Sequence, residues 1–177
     1  MKKGFTLIEM LVASAMLIIA MIAITAAFTS MVRTQRHALD AQHLLDQGGY
    51  AMEYMSKALR MAKKEIRDTS PCLTYTRNYQ AYLGGVKFIS LDESPRCRAF
   101  FVESGILMDR EEGRSPENLP LTSSSVEVVD FSATIEDGEG IQPRVKMILK
   151  IRPAGSDFPE LELETTISQR DLNIPID

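Results

Sequence analysis

The sequence predicts an α+β fold: one long N-terminal helix, half membrane-spanning and half amphipathic, packed on an antiparallel β-sheet head. Three observations carry this. Residues 10–32 form an uncharged, largely apolar run behind a short basic start. Apolar or small residues then recur at alternating steps of three and four, from Leu45 to Ile66, which is the signature of one buried helix face. Near the C-terminus three segments alternate apolar and polar residues, as half-buried strands do.

The apolar run holds about 23 residues, or roughly 34 Å of helix, enough to cross a bilayer. Lys2 and Lys3 keep the N-terminus on the cytoplasmic side, although Arg33 and Arg36 beyond the run reduce the asymmetry. Glu9 is the anomaly. A carboxylate at the start of such a run costs about 2.5–3.5 kcal/mol on insertion scales. A passive anchor has no use for it, so Glu9 is a functional candidate. A secretory signal peptide wants a shorter run and a small-residue cleavage site. Thr25-Ala26-Ala27 would serve as that site, but the run is too long and Glu9 interrupts its start. A plain signal anchor accounts for the length and the lysines, but not for Glu9 or the Gly4-Phe5 junction.

Beyond Val32 the helix becomes amphipathic. Its apolar stripe is Leu45, Gly48, Met52, Met55, Leu59, Ala62 and Ile66, opposite Asp46, Glu53, Lys57, Arg60, Lys64 and Arg67. Pro71 places the end near Asp68. Gly48-Gly49 is a weak point, at about 1 kcal/mol per Gly relative to Ala, and marks a bend or a close-packing site. Arg60, Lys63, Lys64 and Arg67 form a basic cluster at the helix end, where cations favour the dipole. The chain's net charge of −4 argues against a broad nucleic-acid surface.

The three strands of the head are expected at 129–136, 145–152 and 161–167, separated by loops rich in Gly, Pro and Asp. Their outward charges predict a meander with 145–152 in the centre. Pairing sets Arg152 opposite Glu160, Lys150 opposite Glu162, Asp130 near Lys150 and Glu136 near Arg144. Shorter strands are expected at 73–77, 86–91, 97–103 and 106–109, with a tight turn at Ser104-Gly105. Residues 111–125 are polar, contain two prolines and read as a loop.

Cys72 and Cys97 are the only cysteines. The topology puts both outside the cytoplasm, where a disulfide persists. Closing about 26 residues, it would stabilise the fold by roughly 3.5 kcal/mol in the chain-entropy model; two buried thiols are the alternative. No nucleophile elbow, phosphate loop, zinc pattern or His-centred constellation is present, so no enzymatic activity and no cofactor is expected. The two histidines, His37 and His43, cannot build a metal site alone. The acidic turns at 109–112 and 137–139 lack EF-hand spacing.

The order Lys3-Gly4-Phe5-Thr6-Leu7-Ile8-Glu9-Met10-Leu11-Val12 resembles the processing site of type IV pilins and type II secretion pseudopilins. The resemblance covers the first third of the chain. It implies cleavage by a prepilin peptidase between Gly4 and Phe5, N-methylation of Phe5, and assembly with other pilin or pseudopilin subunits on an inner-membrane platform. Glu9 would then meet the Phe5 ammonium of a neighbouring subunit. The expected organisation is a leader at 1–4, a transmembrane and assembly helix at 5–32, its amphipathic continuation at 33–68, and a β-rich head at 69–177 outside the cytoplasm. Major subunits of the family commonly carry a proline where this chain has Ala26, and no Gly or Pro occurs from Phe5 to Leu45. That departure points to a minor subunit. Head size, the segment from Tyr54 to Arg60 and the ending from Thr165 to Arg170 resemble the J class of minor pseudopilins. A minor subunit of an adhesion, motility or DNA-uptake pilus shares every one of these features. A membrane-anchored binding or sensor domain is the reading outside the family.

Overall fold

The computed structural model describes residues 4–65, 72–74, 77–90, 96–138, 141–155 and 159–170. Lys2, Lys3, Ile66, Arg67, Asp68, Pro71, parts of the loops after 138 and 155, and the C-terminal residues from 171 lie outside them. Contacts divide the chain into two units, Met1–Ala41 and Gln42–Asp177.

Helix α1 is Leu7–Arg60, 54 residues in one element. In the first unit every side chain from Leu7 to Met31 is exposed. The hydroxyls here turn back on their own helix: Ser14 Oγ donates to Leu11 O at 2.9 Å and Thr25 Oγ1 to Met21 O at 2.8 Å. That leaves the backbone ladder intact and hides the hydroxyls from an apolar surrounding.

In the second unit one face of α1 is buried through Leu44, Gly48, Ala51, Met52, Met55 and Leu59. The stripe therefore starts at Leu44, 1% exposed, and Leu45 stands out at 52%. Two adjacent leucines fit the period equally well. At Gly48 the packing is close: a Cβ there would lie 2.5 Å from Leu163 Cδ1 and 2.8 Å from Ile151 Cδ1. The helix also stops at Arg60, short of the expected end near Asp68. Its last carbonyls are taken by tertiary donors. Tyr79 OH donates to Leu59 O at 2.7 Å, Arg170 N–H to Arg60 O at 3.1 Å, and Gln169 Nε2 to Ala62 O at 2.6 Å. The chain then turns, and Lys63 N–H donates to Ile89 O at 3.0 Å.

The rest of the unit holds two antiparallel sheets. One runs in sequential order: β1 Tyr79–Tyr82, β2 Gly85–Ser90, β3 Arg96–Glu103, β4 Ile106–Glu111, β5 Asn118–Pro120. The other is β6 Val126–Gly138, β7 Ile141–Pro153 and β8 Leu161–Ser168, with β7 in the centre as the charges predicted. Asp130 pairs with Lys150, Glu136 with Arg144 and Lys150 with Glu162. Lys146 Nζ reaches Glu164 at 2.8 Å. Arg152 follows the last β7–β8 pair, Ile151 with Leu161, and its guanidinium also bonds Glu127 at 2.9 Å, its direct partner on β6 and an ion pair the sequence reading did not include. Three elements differ from the sequence reading, and β1 is one that was not expected. Residues 72–74 form a bend where a strand was expected, and β5 lies inside the stretch read as a loop.

Both two-residue hairpins of the larger sheet carry a left-handed pair: Leu83 and Gly84 at φ 47° and 77°, Ser104 and Gly105 at 53° and 74°. Their tips meet β6, and Gly105 O accepts the Val128 N–H at 2.8 Å. Side chains from α1 and both sheets form one core, with Met55, Leu59, Phe88, Phe100, Leu107, Met147, Leu149 and Ile151 fully buried.

A buried ion network joins α1 to this core. Asp109, 0% exposed, accepts from Arg98 Nε and Nη2 at 2.8 Å each, from Arg114 Nη1 at 3.1 Å and from Tyr54 OH at 3.1 Å. Arg98 also lies over the Tyr54 ring, 5.2 Å from its centroid. Arg114 holds the loop before β5 through Asp109 O at 2.7 Å and Glu117 O at 3.1 Å. Burial by itself would raise the Asp109 carboxyl, but Arg98 and then Arg114 outweigh it and hold it below the usual carboxylate range.

Two outcomes are expected. A Cβ on Gly85 would sit 1.9 Å from Phe100 O, a backbone atom that cannot swing away. Gly85→Ala should therefore lower the stability of the full chain in detergent by about 3 kcal/mol, read by chemical denaturation; a loss well under 1 kcal/mol contradicts the packing. Asp109→Asn should cost at least about 3 kcal/mol at pH 7, because it leaves buried cations without their counter-charge. Asp109's folded pKa is depressed, so its contribution is present above the unfolded value of about 3.9 and is lost as pH falls through the folded one. The wild type should lose stability on acidification below about pH 4 more steeply than the variant.

Candidate functional site

Gly4, Phe5 and Thr6 are non-helical and exposed, and α1 begins at Leu7. The Gly4–Phe5 peptide bond thus lies outside the helix. Thr6 is the N-cap. Its carbonyl accepts the Met10 N–H at 3.3 Å, and its Oγ1 accepts the Glu9 N–H at 3.3 Å. Glu9 reaches back: its Oε2 accepts the Thr6 N–H at 3.4 Å and the Thr6 hydroxyl at 3.5 Å. This is a capping box, in which a Thr and an acid three residues on satisfy each other's orphan backbone donors. The helix N-terminus adds a favourable dipole for the anion. The bonds to the carboxylate are long, so the arrangement orients Glu9 more than it neutralises it. Both fall on Oε2, which leaves Oε1 to accept from a cation.

Sequence reasoning singled out Glu9, Phe5 and Gly4 but missed Thr6. The signal was present, since Thr6-x-x-Glu9 ahead of an apolar run is the sequence form of a capping box. Glu9's partner within the chain is Thr6. The expected partner, a Phe5 amine, belongs to another molecule.

In the head, Cys72 and Cys97 are joined by a disulfide, with Cα atoms 5.5 Å apart. The bond sits in a small apolar cluster with Leu73 and Ile89. Glu65, 0% exposed, prepares the approach, because its Oε2 accepts the Cys72 N–H at 2.7 Å and the Leu73 N–H at 3.3 Å. Glu65 was not expected as a structural residue; no local pattern marks it. His43 Nε2 meets Ser125 Oγ at 3.0 Å, a tie between α1 and the segment before β6. Among the described residues, no group of three or more His, Cys, Asp or Glu is placed to hold a metal ion.

Compared with known families, residues 1–27 match the model of the prokaryotic N-terminal methylation motif. The chain carries the N-terminal methylation motif of the type IV pilin family. Its long helix and β-sheet head have the pilin-like architecture. No curated protein and no solved structure gave a significant match. Proteins with this motif are structural subunits, generally not enzymes. The motif implies processing by a prepilin peptidase and assembly with other pilin subunits. Among the described residues, one helix, α1, is long and apolar enough to cross a membrane.

Replacing both Cys72 and Cys97 by Ser should lower the stability of the head by roughly 3.5 kcal/mol, read as a shift in the denaturation midpoint. Equal midpoints for the oxidised wild type and the double variant would show that the bond adds nothing.

Proposed function

We propose that this chain is a minor subunit of a type II secretion pseudopilus or a type IV pilus. It is cut between Gly4 and Phe5, N-methylated on Phe5, and built into a filament through its apolar helix. The observation that carries this reading is the oriented carboxylate of Glu9 at the mouth of a fully exposed apolar helix. Cleavage leaves Phe5 with an α-amine, and methylation keeps its charge. Two parallel helices then bring a cation of one molecule to an anion of the next. In an apolar bundle each charge is costly alone, and pairing relieves both. Only one axial stagger satisfies the pair, so it also sets register.

The leader is residues 1–4, and the helix serves as membrane anchor until assembly. The N-terminus faces the cytoplasm across the inner membrane, and the head lies outside, a placement supported by Lys2, Lys3 and the disulfide. The minor position is supported by α1 running through Ala26 without a break. The inner-membrane assembly platform is the proposed third partner, after the peptidase and the other subunits.

The reading is tested on the mature protein and on one variant. Mass spectrometry of the protein from its host should give an N-terminal peptide starting at N-methyl-Phe5; an intact Met1 overturns processing. Glu9→Val should insert in the membrane at wild-type levels yet drop out of sheared filaments by more than tenfold. Unchanged incorporation would sink the charge-pair role.

A further inference from the structure

The outer face of the larger sheet holds a pocket that the filament reading does not use. Its floor is set by the strand register. Lys87 on β2, Ala99 on β3 and Arg110 on β4 stand directly opposite one another, so a single methyl group lies between two long cationic side chains. On one side of this row is Tyr82, whose ring meets Phe101 edge-on at 5.6 Å. On the other side is Cys97, whose carbonyl accepts the Glu112 N–H at 2.9 Å. The dip has a volume of about 210 Å³, and Tyr82, Lys87, Ala99, Arg110 and Glu112 line it. Drug-sized sites run from about 300 Å³ upward, so this one suits a molecule the size of one amino acid.

The charges that are already satisfied decide what it takes. Arg98, which also lines the pocket, is committed to the buried Asp109 at 2.8 Å. Arg110 is held by Glu117 at 3.3 Å and by the Tyr82 hydroxyl, to which it donates at 3.0 Å. These bonds fix the walls. Lys87 and Glu112 differ. Lys87 stands 5.9 Å from the Tyr82 ring centroid, and among the described residues neither it nor Glu112 has an ion-pair partner. The register sets them two strand spacings and two residues apart, about 12 Å between Cα atoms. Their charged ends face the same pocket without meeting.

We infer that this pocket binds a small zwitterion, an amino-acid-like molecule whose carboxylate meets Lys87 and whose ammonium meets Glu112. A simple anion would satisfy Lys87 but lie near the Glu112 and Glu117 carboxylates. A simple cation would satisfy Glu112 but lie near Lys87 and Arg110. A molecule carrying both charges satisfies both ends, and its carbon chain lies over Ala99 between walls that are already fixed. Fixed walls keep the cost of ordering the site low. The site is formed within the head and requires neither Glu9 nor a filament.

The test uses the full chain in detergent with isotope-labelled alanine methyls, because the Ala99 methyl forms the pocket floor. The probes are glycine, γ-aminobutyrate and ε-aminohexanoate, which differ in the spacing of their two charges. Acetate and ethylammonium are the singly charged controls. At least one zwitterion should move the Ala99 resonance saturably, with a Kd of about 1–10 mM. Lys87→Met and Glu112→Gln should each weaken that binding at least fivefold. Both side chains are at least partly exposed, so both variants should keep the wild-type melting temperature. Exchanging the two charges, Lys87→Glu with Glu112→Lys, should restore binding, because the pocket then takes the same molecule reversed. No saturable shift with any of the three zwitterions overturns the inference. So do equal shifts with acetate or ethylammonium, a single variant that binds as tightly as the wild type, or an exchange that binds no better than the single variants.

Discussion

The whole chain depends on one helix meeting two different demands along its length. From Leu7 to Met31 every side chain of α1 is exposed, and almost all are apolar. From Leu44 onward one stripe is buried in the head and the remaining faces are mostly polar or charged, with Leu45 and Tyr50 exposed among them. A helix can do both because its backbone bonds are internal wherever it goes, so only the side chains need to change with the surroundings. The absence of Gly and Pro from Phe5 to Leu45 keeps that backbone regular through the change. Packing against the sheets, and not propensity, then stabilises the amphipathic part.

Held only by an apolar stripe, such a helix would be free to slide or rotate by small steps in its groove. The polar contacts remove that freedom. Tyr54 is tied to Asp109, the Leu59 carbonyl to Tyr79, and the Ala62 carbonyl to Gln169, which is itself bonded to Asn78. Each of these pairs has one geometry, whereas methyl groups have many. The Arg98–Asp109 pair is weak evidence for stability as such, since well-packed apolar residues often do as well. Its placement between α1, the larger sheet and the Arg114 loop favours a role in fixing orientation. The disulfide and Glu65 do the same for the segment that leaves the helix, where the second, smaller apolar cluster is too small to hold it alone.

The parts of the fold that were legible are those whose information is local. The β6–β7–β8 meander follows from alternating residues and from opposite charges on facing strands, and Lys150 meets Glu162 as the pattern required. Local information ran out in three places. Leu44 and Leu45 are chemically identical, so the period could not choose the buried one; Leu44 joins the core shared with both sheets and Leu45 stays exposed. The end of α1 is set by donors from Tyr79, Gln169 and Arg170, which leave no trace at residue 60. β5 has a polar, proline-containing sequence and is a strand because Met108 and Asp109 pair with it. At the N-terminus the pattern was fully local. Thr6 and Glu9 lie three residues apart ahead of the apolar run, so the cap is written in the sequence itself.

If the proposed filament forms, Glu9 has to be stable in two states that place opposite demands on it. Before the proposed assembly it would face an apolar surrounding alone, where an unpartnered carboxylate is costly. The Thr6 bonds and the helix N-terminus lessen that penalty without removing it, because the bonds are long and one oxygen is left over. A tighter cap would satisfy the carboxylate fully, and a neighbour's amine would then gain little by displacing it. A looser one would let the side chain wander, and the amine would have to order it at an entropic cost. The capping box sits between these limits. It holds the carboxylate near its own helix end and incompletely satisfied, which on the proposed filament reading lets a second subunit's cation be attracted to one height along the helix.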